Sequence, residues 1–292
     1  MTFTYYRKTV SDGLPHTKFI LNRRYARFML NALSAVWIVL GLLFAYPASG
    51  GAGPKQIQPV PAANLPFNPG EKLTYNISWS NFIQAGTAVM EVREEKKEDG
   101  EILYHLISTA HSSRWLSKFY TVSDKIETVF DAENLRPISF SLDQSHGKRK
   151  KKRDMTFSHK EGIVTVFSDG QQSKYPVPAD IQDPLSSLYY VRTKQDFIVG
   201  KPIIVNVHED DKNWAVEVYV LGKEKLETSL GELNTIKIKT YPKYEGVFQN
   251  KGEIYIWLTD DARKIPVLMK STISIGSIVS TLVEARTGEN KK

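Results

Sequence analysis

From Lys72 onward the dominant period of the sequence is two. Leu73, Tyr75, Ile77 and Trp79 alternate with Lys72, Thr74, Asn76 and Ser78. Ile138, Phe140 and Leu142 alternate with Ser139 and Ser141, and Trp214, Val216, Val218 and Val220 with Ala215, Glu217 and Tyr219. Ile236 and Ile238 do the same with Lys237 and Lys239. Such alternation gives a strand one buried and one wet face, the habit of antiparallel sheets. Turn signals punctuate the runs at Asp99-Gly100, Glu161-Gly162, Asp169-Gly170, Leu221-Gly222 and Asn250-Lys251-Gly252. Many strands at short intervals predict an all-β, mainly antiparallel fold: a single curved sheet, a barrel or a sandwich, with one or two short helices. There is no parallel βαβ rhythm, no repeat and no second linker, so residues 70–286 are expected to form one domain with a short disordered tail at 287–292.

The first helix candidate is the aromatic-rich piece Arg114 to Tyr120. The second starts at Asp183-Pro184, where Asp can cap the first amides and Pro suits the first helical position. It continues to Arg192, and Leu185, Leu188, Tyr189 and Arg192 fall on one face, which predicts a plug at one end of the β structure. Ala85-Gly86 and Ile275-Gly276 place glycine inside strand patterns, where bulges or close backbone approach are expected.

The chain contains no cysteine, which excludes disulfides, thiolate metal sites and a cysteine nucleophile. Its first 27 residues carry Arg7, Lys8, Lys18, Arg23, Arg24 and Arg27 against one acid, Asp12. An apolar run from Phe28 to Tyr46 follows, and then small residues from Pro47 to Gly53. That order predicts a secretory signal over residues 1–53, either a cleaved signal peptide or an uncleaved anchor helix, since the apolar run nearly matches a bilayer. The expected location is the periplasm, tethered to the inner membrane if the anchor is kept. Residues 54–69, with Pro54, Pro59, Pro61, Pro66 and Pro69, read as an extended linker. Of the formal charge of +7, the leader supplies +5, and the remaining excess sits in one basic run. Nucleic acid is therefore excluded as an expected partner.

That run, Lys148-Arg149-Lys150-Lys151-Lys152-Arg153, lies between strand-like segments 137–146 and 154–159 and predicts a charged hairpin tip. It can dock on an anionic membrane surface or remain a solvated loop. The aromatics Tyr75, Trp79, Trp115, Tyr189 and Trp257, with Phe119, Tyr190 and Trp214, can either line an apolar ligand cavity or fill the core. His105 and His111 are too far apart in sequence for two ligands on one ion. His208-Glu209-Asp210-Asp211 reads as a polar turn between strands, and Asp260-Asp261 as another. No Gly-x-Ser-x-Gly, phosphate loop or His-Glu-x-x-His is present, and neither metal nor cofactor is expected.

Several short motifs occur together in order. They are Pro69-Gly70-Glu71-Lys72-Leu73-Thr74-Tyr75, then Trp79 and Ala85-Gly86, then Asp183 to Arg192 with Gly200-Lys201, and finally Ile256 to Val267 and Ile275-Gly276-Ser277-Ile278. The set resembles the bacterial exported family known as domain of unknown function 3108, over about residues 65 to 286. The resemblance implies a Gram-negative envelope protein with a largely β fold and carries over no catalytic residue. The leading expectation is a non-catalytic envelope protein that binds an apolar or amphiphilic molecule, a lipid among them, or assists envelope assembly. The alternatives are a scaffold for another envelope protein and a glycan or cell-wall hydrolase using Asp260 and Asp261.

Overall fold

The computed structural model describes residues 65–80, 82–96, 102–242, 253–272 and 276–288. The expected signal or anchor helix and residues 54–64 of the expected linker lie outside them, as do residues 289–292.

Among the described residues one antiparallel sheet holds fourteen strands. They are β1 (Lys72–Trp79), β2 (Ile83–Lys96), β3 (Ile102–Ser112), β4 (Val122–Asp131), β5 (Arg136–His146), β6 (Arg149–Ser158) and β7 (Ile163–Ser168). The second half comprises β8 (Gln171–Pro176), β9 (Ile203–Glu209), β10 (Lys212–Thr228), β11 (Gly231–Pro242), β12 (Ile254–Thr259), β13 (Pro266–Thr272) and β14 (Ser277–Arg286). The single helical turn α1 (Arg114–Ser117) joins β3 to β4, and α2 (Pro184–Arg192) lies between β8 and β9.

Strands consecutive in sequence pair with one another, except β8 with β9, and β1 also pairs with β14, from Lys72↔Arg286 to Trp79↔Ile278. The first and last strands therefore sit side by side in the middle, and β8 and β9 are the two edges. A twisted sheet of this width curls rather than stays open and flat. Bulges deepen the curl, one of them where β1 meets β2 at Ile77 and Ser78. Gly86 stands there because a Cβ would collide with the carbonyl of His111 on β3, the close approach expected of a glycine inside a strand.

The connection from edge to edge crosses the concave side of the sheet, and this carries α2 inside. Asp183 caps the helix, accepting from the amides of Leu185 (2.8 Å) and Ser186 (2.9 Å), while the Ser186 hydroxyl accepts from the Asp183 amide (3.0 Å). The predicted helix is present, but it is buried on nearly every side rather than along one stripe. Just before it, Gln182 covers part of the β9 edge. Its amide donates to the Asn206 carbonyl and its carbonyl accepts from the His208 amide, both at 2.8 Å.

The main core fills the space between sheet and helix, with Leu73, Tyr75, Leu106, Phe130, Leu185 and Tyr189 among its members. Leu65 and Phe67 belong to it too, at 5% and 1% exposure. The expected linker to residue 69 is thus corrected: the fold begins by Leu65, because these two apolar side chains offer more burial than the surrounding prolines reveal. The first predicted helix is also shorter than expected, ending at Ser117.

At the closed end of this core, Arg192 donates from Nη1 and Nη2 to the two carboxylate oxygens of Glu71, each at 2.7 Å. Its Nε donates to the Arg263 carbonyl and its Nη2 also to that of Pro66, both at 3.2 Å. The guanidinium lies 5.3 Å from the Phe67 ring centre and 5.2 Å from that of Tyr189. Removing one member of such a buried pair strands the other charge in the core. Arg192→Met is expected to cost about 3–5 kcal/mol in urea unfolding. The double variant Glu71→Leu with Arg192→Met should recover much of that loss; equal losses in single and double variants would refute the pairing argument.

Candidate functional site

The basic run does not form the expected tip. The β5–β6 turn consists of Gly147 and Lys148 alone, and Arg149 to Arg153 are already strand. Gly147 has φ +60°, and a Cβ there would meet the Tyr120 ring at 2.9 Å. Strand parity then divides the six bases. Lys151 and Arg153 share the face of the core residues Met155 and Phe157, whereas Lys150 and Lys152 face outward. Lys151 pairs with Asp210 at 3.2 Å, Arg153 with Asp211 at 2.5 Å, and Lys152 with Asp143 at 3.0 Å. Half of the run is therefore neutralised within the fold, and Lys148, Arg149 and Lys150 remain exposed.

The partners of Lys151 and Arg153 come from the acidic segment read as a turn. Asp210 and Asp211 do form that turn, both at positive φ, but His208 and Glu209 belong to β9 and are part of the seam where the two sheet edges approach. Here Asn213 Nδ2 donates to the Pro176 carbonyl at 2.7 Å, and the His208 ring lies 5.4 Å from that of Tyr175. Among the described residues no cluster of His, Asp and Glu has metal-site geometry. The His208 ring accepts or donates only through Nδ1, to Asn213 at 2.7 Å.

Glu209 Oε2 is shut off from solvent and has no hydrogen-bond partner. Burial, and next the charge of Asp210, pushes its carboxyl up to about 8, with Asp183 adding to the shift and Lys151 and Arg153 opposing it. Burial likewise pushes Asp183 up to about 6, against hydrogen bonds from Ser186, Thr128 and Leu185. Both carboxyls hold protons in the folded chain that the unfolded chain releases. Their contribution to stability is complete below the ordinary carboxylate range and is lost as pH rises toward about 8. The urea midpoint is thus expected to fall between about pH 5 and pH 8, and Glu209→Gln should flatten the upper part of that slope. An unaltered slope in Glu209→Gln would show that this carboxyl ionises freely.

A different surface gathers at one end of the curved sheet. The start of β2, just past the β1–β2 turn, meets the start of α1 where the Ser113 amide donates to the Ala85 carbonyl (2.8 Å) and its hydroxyl to that of Gln84 (3.3 Å). The β5–β6 turn joins them where the Gly147 amide donates to the Thr121 carbonyl at 2.8 Å. On this rim Phe82 is 90% exposed, Phe119 71% and Trp115 54%, and the last two rings are in edge contact at 5.8 Å. Segments 79–86, 112–121 and 146–150 contribute Arg114, Lys118, Lys148, Arg149 and Lys150, and contain no Asp or Glu. All five cations are exposed, and among the described residues none of them forms a salt bridge. Sequence reasoning picked out three of these bases and missed Phe82, Phe119, Arg114 and Lys118 as surface groups. The legible signal was the absence of acids from three turn segments.

The five aromatics expected to line a cavity do not share a wall. Tyr75 and Tyr189 lie in the main core, where the Tyr75 hydroxyl donates to the Pro266 carbonyl at 2.9 Å and burial pushes both phenols up. Trp257 also belongs to that core, at 7% exposure, but pairs across the ladder with Lys237, 4.7 Å from its ring, on the opposite parity to Ile256 and Leu258. Trp79 packs on a separate small cluster, and Trp115 faces solvent. The acids named for hydrolysis also diverge. Asp260 pairs with Lys223 at 2.8 Å, while Asp261 accepts from Thr259 Oγ1 (2.6 Å) and from the amides of Arg263 and Lys264 (3.0 and 3.1 Å), closing its own turn. His105 sits between Glu95 and Glu127 in ion pairs of 2.6 and 2.8 Å.

Comparison with known structures finds likeness of fold. A β-barrel-like protein of the DUF1849 family from Brucella abortus superposes with a TM-score of 0.51 at 11% identity, covering 75% of this chain and 98% of that one. A protein with a YmcC-like fold from Bacteroides fragilis gives a TM-score of 0.31 at 9% identity, covering 76% of this chain and 98% of that one. Comparison with curated proteins finds no match. The sequence does match, over residues 74–283, the family described as protein of unknown function (DUF3108). That span contains β1 to β14 almost entire together with α2, so the chain belongs to the DUF3108 family.

Proposed function

We propose that this protein is an exported, non-catalytic component of the cell envelope that works at an anionic membrane surface, resting on it through the rim around α1. The basic, apolar and small-residue order before residue 54 supports export. The observation that carries the docking reading is the rim itself, with three large exposed aromatics and five exposed cations in segments without acids. Aromatic rings are at home at the level of lipid headgroups, where one part of the side chain is apolar and its surroundings wet. Each base near an anionic surface adds about 1 kcal/mol of attraction.

Because the chain lacks cysteine, a single thiol at Gln84→Cys can carry an environment-sensitive fluorophore on the rim of the full-length protein in vesicles. Phosphatidylglycerol vesicles are expected to shift its emission to the blue, and phosphatidylcholine vesicles to leave it unchanged. Replacing Lys148, Arg149 and Lys150 together by Ser removes about 3 kcal/mol of attraction and should weaken the response on the order of a hundredfold at low salt. The replacement spares Lys151 and Arg153, so the seam is left intact. An identical response from the triple variant would overturn the docking reading.

A further inference from the structure

Behind the rim lies an apolar cluster distinct from the main core, formed by Ile77, Ala85, Ala110, Leu116, Val122 and Ile278. A cleft runs into it, lined by residues that include Ile77, Ala85, Ala110, His111 and Val122. As it stands the cleft holds about 10 Å³, room for roughly one water molecule. The Leu116 side chain, carried by α1, is buried in this cluster and lines the cleft.

The α1 turn is a single turn tied to the sheet at its ends. One helical turn has no stability of its own. Its side-chain ties to the sheet are the Ser113 hydroxyl donating to the Gln84 carbonyl at 3.3 Å, the Ser112–Ser117 hydroxyl contact of 2.8 Å and Leu116 itself, besides the Ser113 amide bond to the Ala85 carbonyl at 2.8 Å. The two residues that flank this anchor are Trp115 and the nearby Phe119, both exposed. Apart from His111 and Ser112, the residues that line the cleft are apolar or glycine. No carboxylate is among the residues that line it, and the exposed cations Arg114 and Lys118 lie two residues to either side of Leu116 in the chain.

The geometry points to an acyl-chain site beneath α1, which admits one chain of an anionic lipid when Trp115 and Phe119 enter the headgroup layer and draw Leu116 out. This inference rests on the docking reading. The apolar lining suits methylene groups, and the two cations suit the phosphate or carboxylate at the head of the chain.

The test uses the full-length chain in phosphatidylglycerol vesicles containing either a phosphatidylglycerol or a free fatty acid with a photoreactive diazirine in its chain. Adducts are mapped by mass spectrometry, while the Gln84→Cys fluorophore reports rim docking under the same conditions. Adducts are expected at Ile77, Ala110 and Val122, and the reagent that forms them names the source of the chain. A Ser112→Cys and Ser117→Cys pair, the only thiols in its chain, should lock α1 on oxidation. Adducts in the cleft should then fall by about tenfold or more and return on reduction. Ala110→Phe fills the cleft permanently and should give the same loss. Adducts confined to Phe82, Trp115 and Phe119, or cleft adducts indifferent to the lock, would overturn the acyl-chain site while leaving docking in place. Loss of the rim signal itself would instead overturn the docking reading beneath it.

Discussion

The ion pair between Glu71 and Arg192 joins three parts of the chain that no ladder connects. Glu71 precedes the first strand, Arg192 ends the interior helix, and the Arg263 carbonyl that Arg192 also reaches belongs to the β12–β13 turn. An unpaired charge in such a core is costly, so each partner fixes where the other must stand. Set between the Phe67 and Tyr189 rings, the guanidinium also holds the N-terminal segment against the helix. A fully hydrophobic substitute could match its stability, whereas this pair also ties the segment, the helix end and the turn to one another by directed hydrogen bonds.

The need for a helix inside follows from the order of the strands. With β1 beside β14 in the middle, the two halves of the sheet grow outward to edges that are consecutive in sequence. The connection between them has to cross the concavity, and it does so with a capped helix whose backbone groups are satisfied within the element. The same crossing masks part of one edge through Gln182 and brings the β9–β10 turn against the inner face of β6. A broad sheet thus manages its exposed ladder groups without complete ladder closure.

Much of this was legible in the sequence. The alternation around Tyr75, Val216 and Ile236 gave the strands their inner faces, and Asp183-Pro184 gave the helix its start, because both signals are local. What resisted reading was non-local. The basic run looked like one loop because its charges are contiguous, yet strand parity sends Lys151 and Arg153 inward to acids almost sixty positions away. Leu65 and Phe67 looked like linker because their partners, among them Tyr189, come from much later in the chain. Trp257 looked like a cavity residue by type, although its parity places it with Lys237. The rim was legible only as the absence of acids, since its three segments are adjacent in space and dispersed in sequence.

The pairing of Lys72 with Arg286 and of Trp79 with Ile278 sets the timing of assembly. During synthesis β1 is among the first strands to appear, and one side of it waits for the last. Until residue 286 is available the central ladder is a free edge with an apolar face, open to the wrong neighbour. Hairpins such as β2–β3 can form early, but the sheet cannot curl around α2 before its two halves are joined at the centre. High sequence separation at that joint makes closure slow. A chain built this way becomes whole only after its final strand has been delivered, and it remains threadable until then.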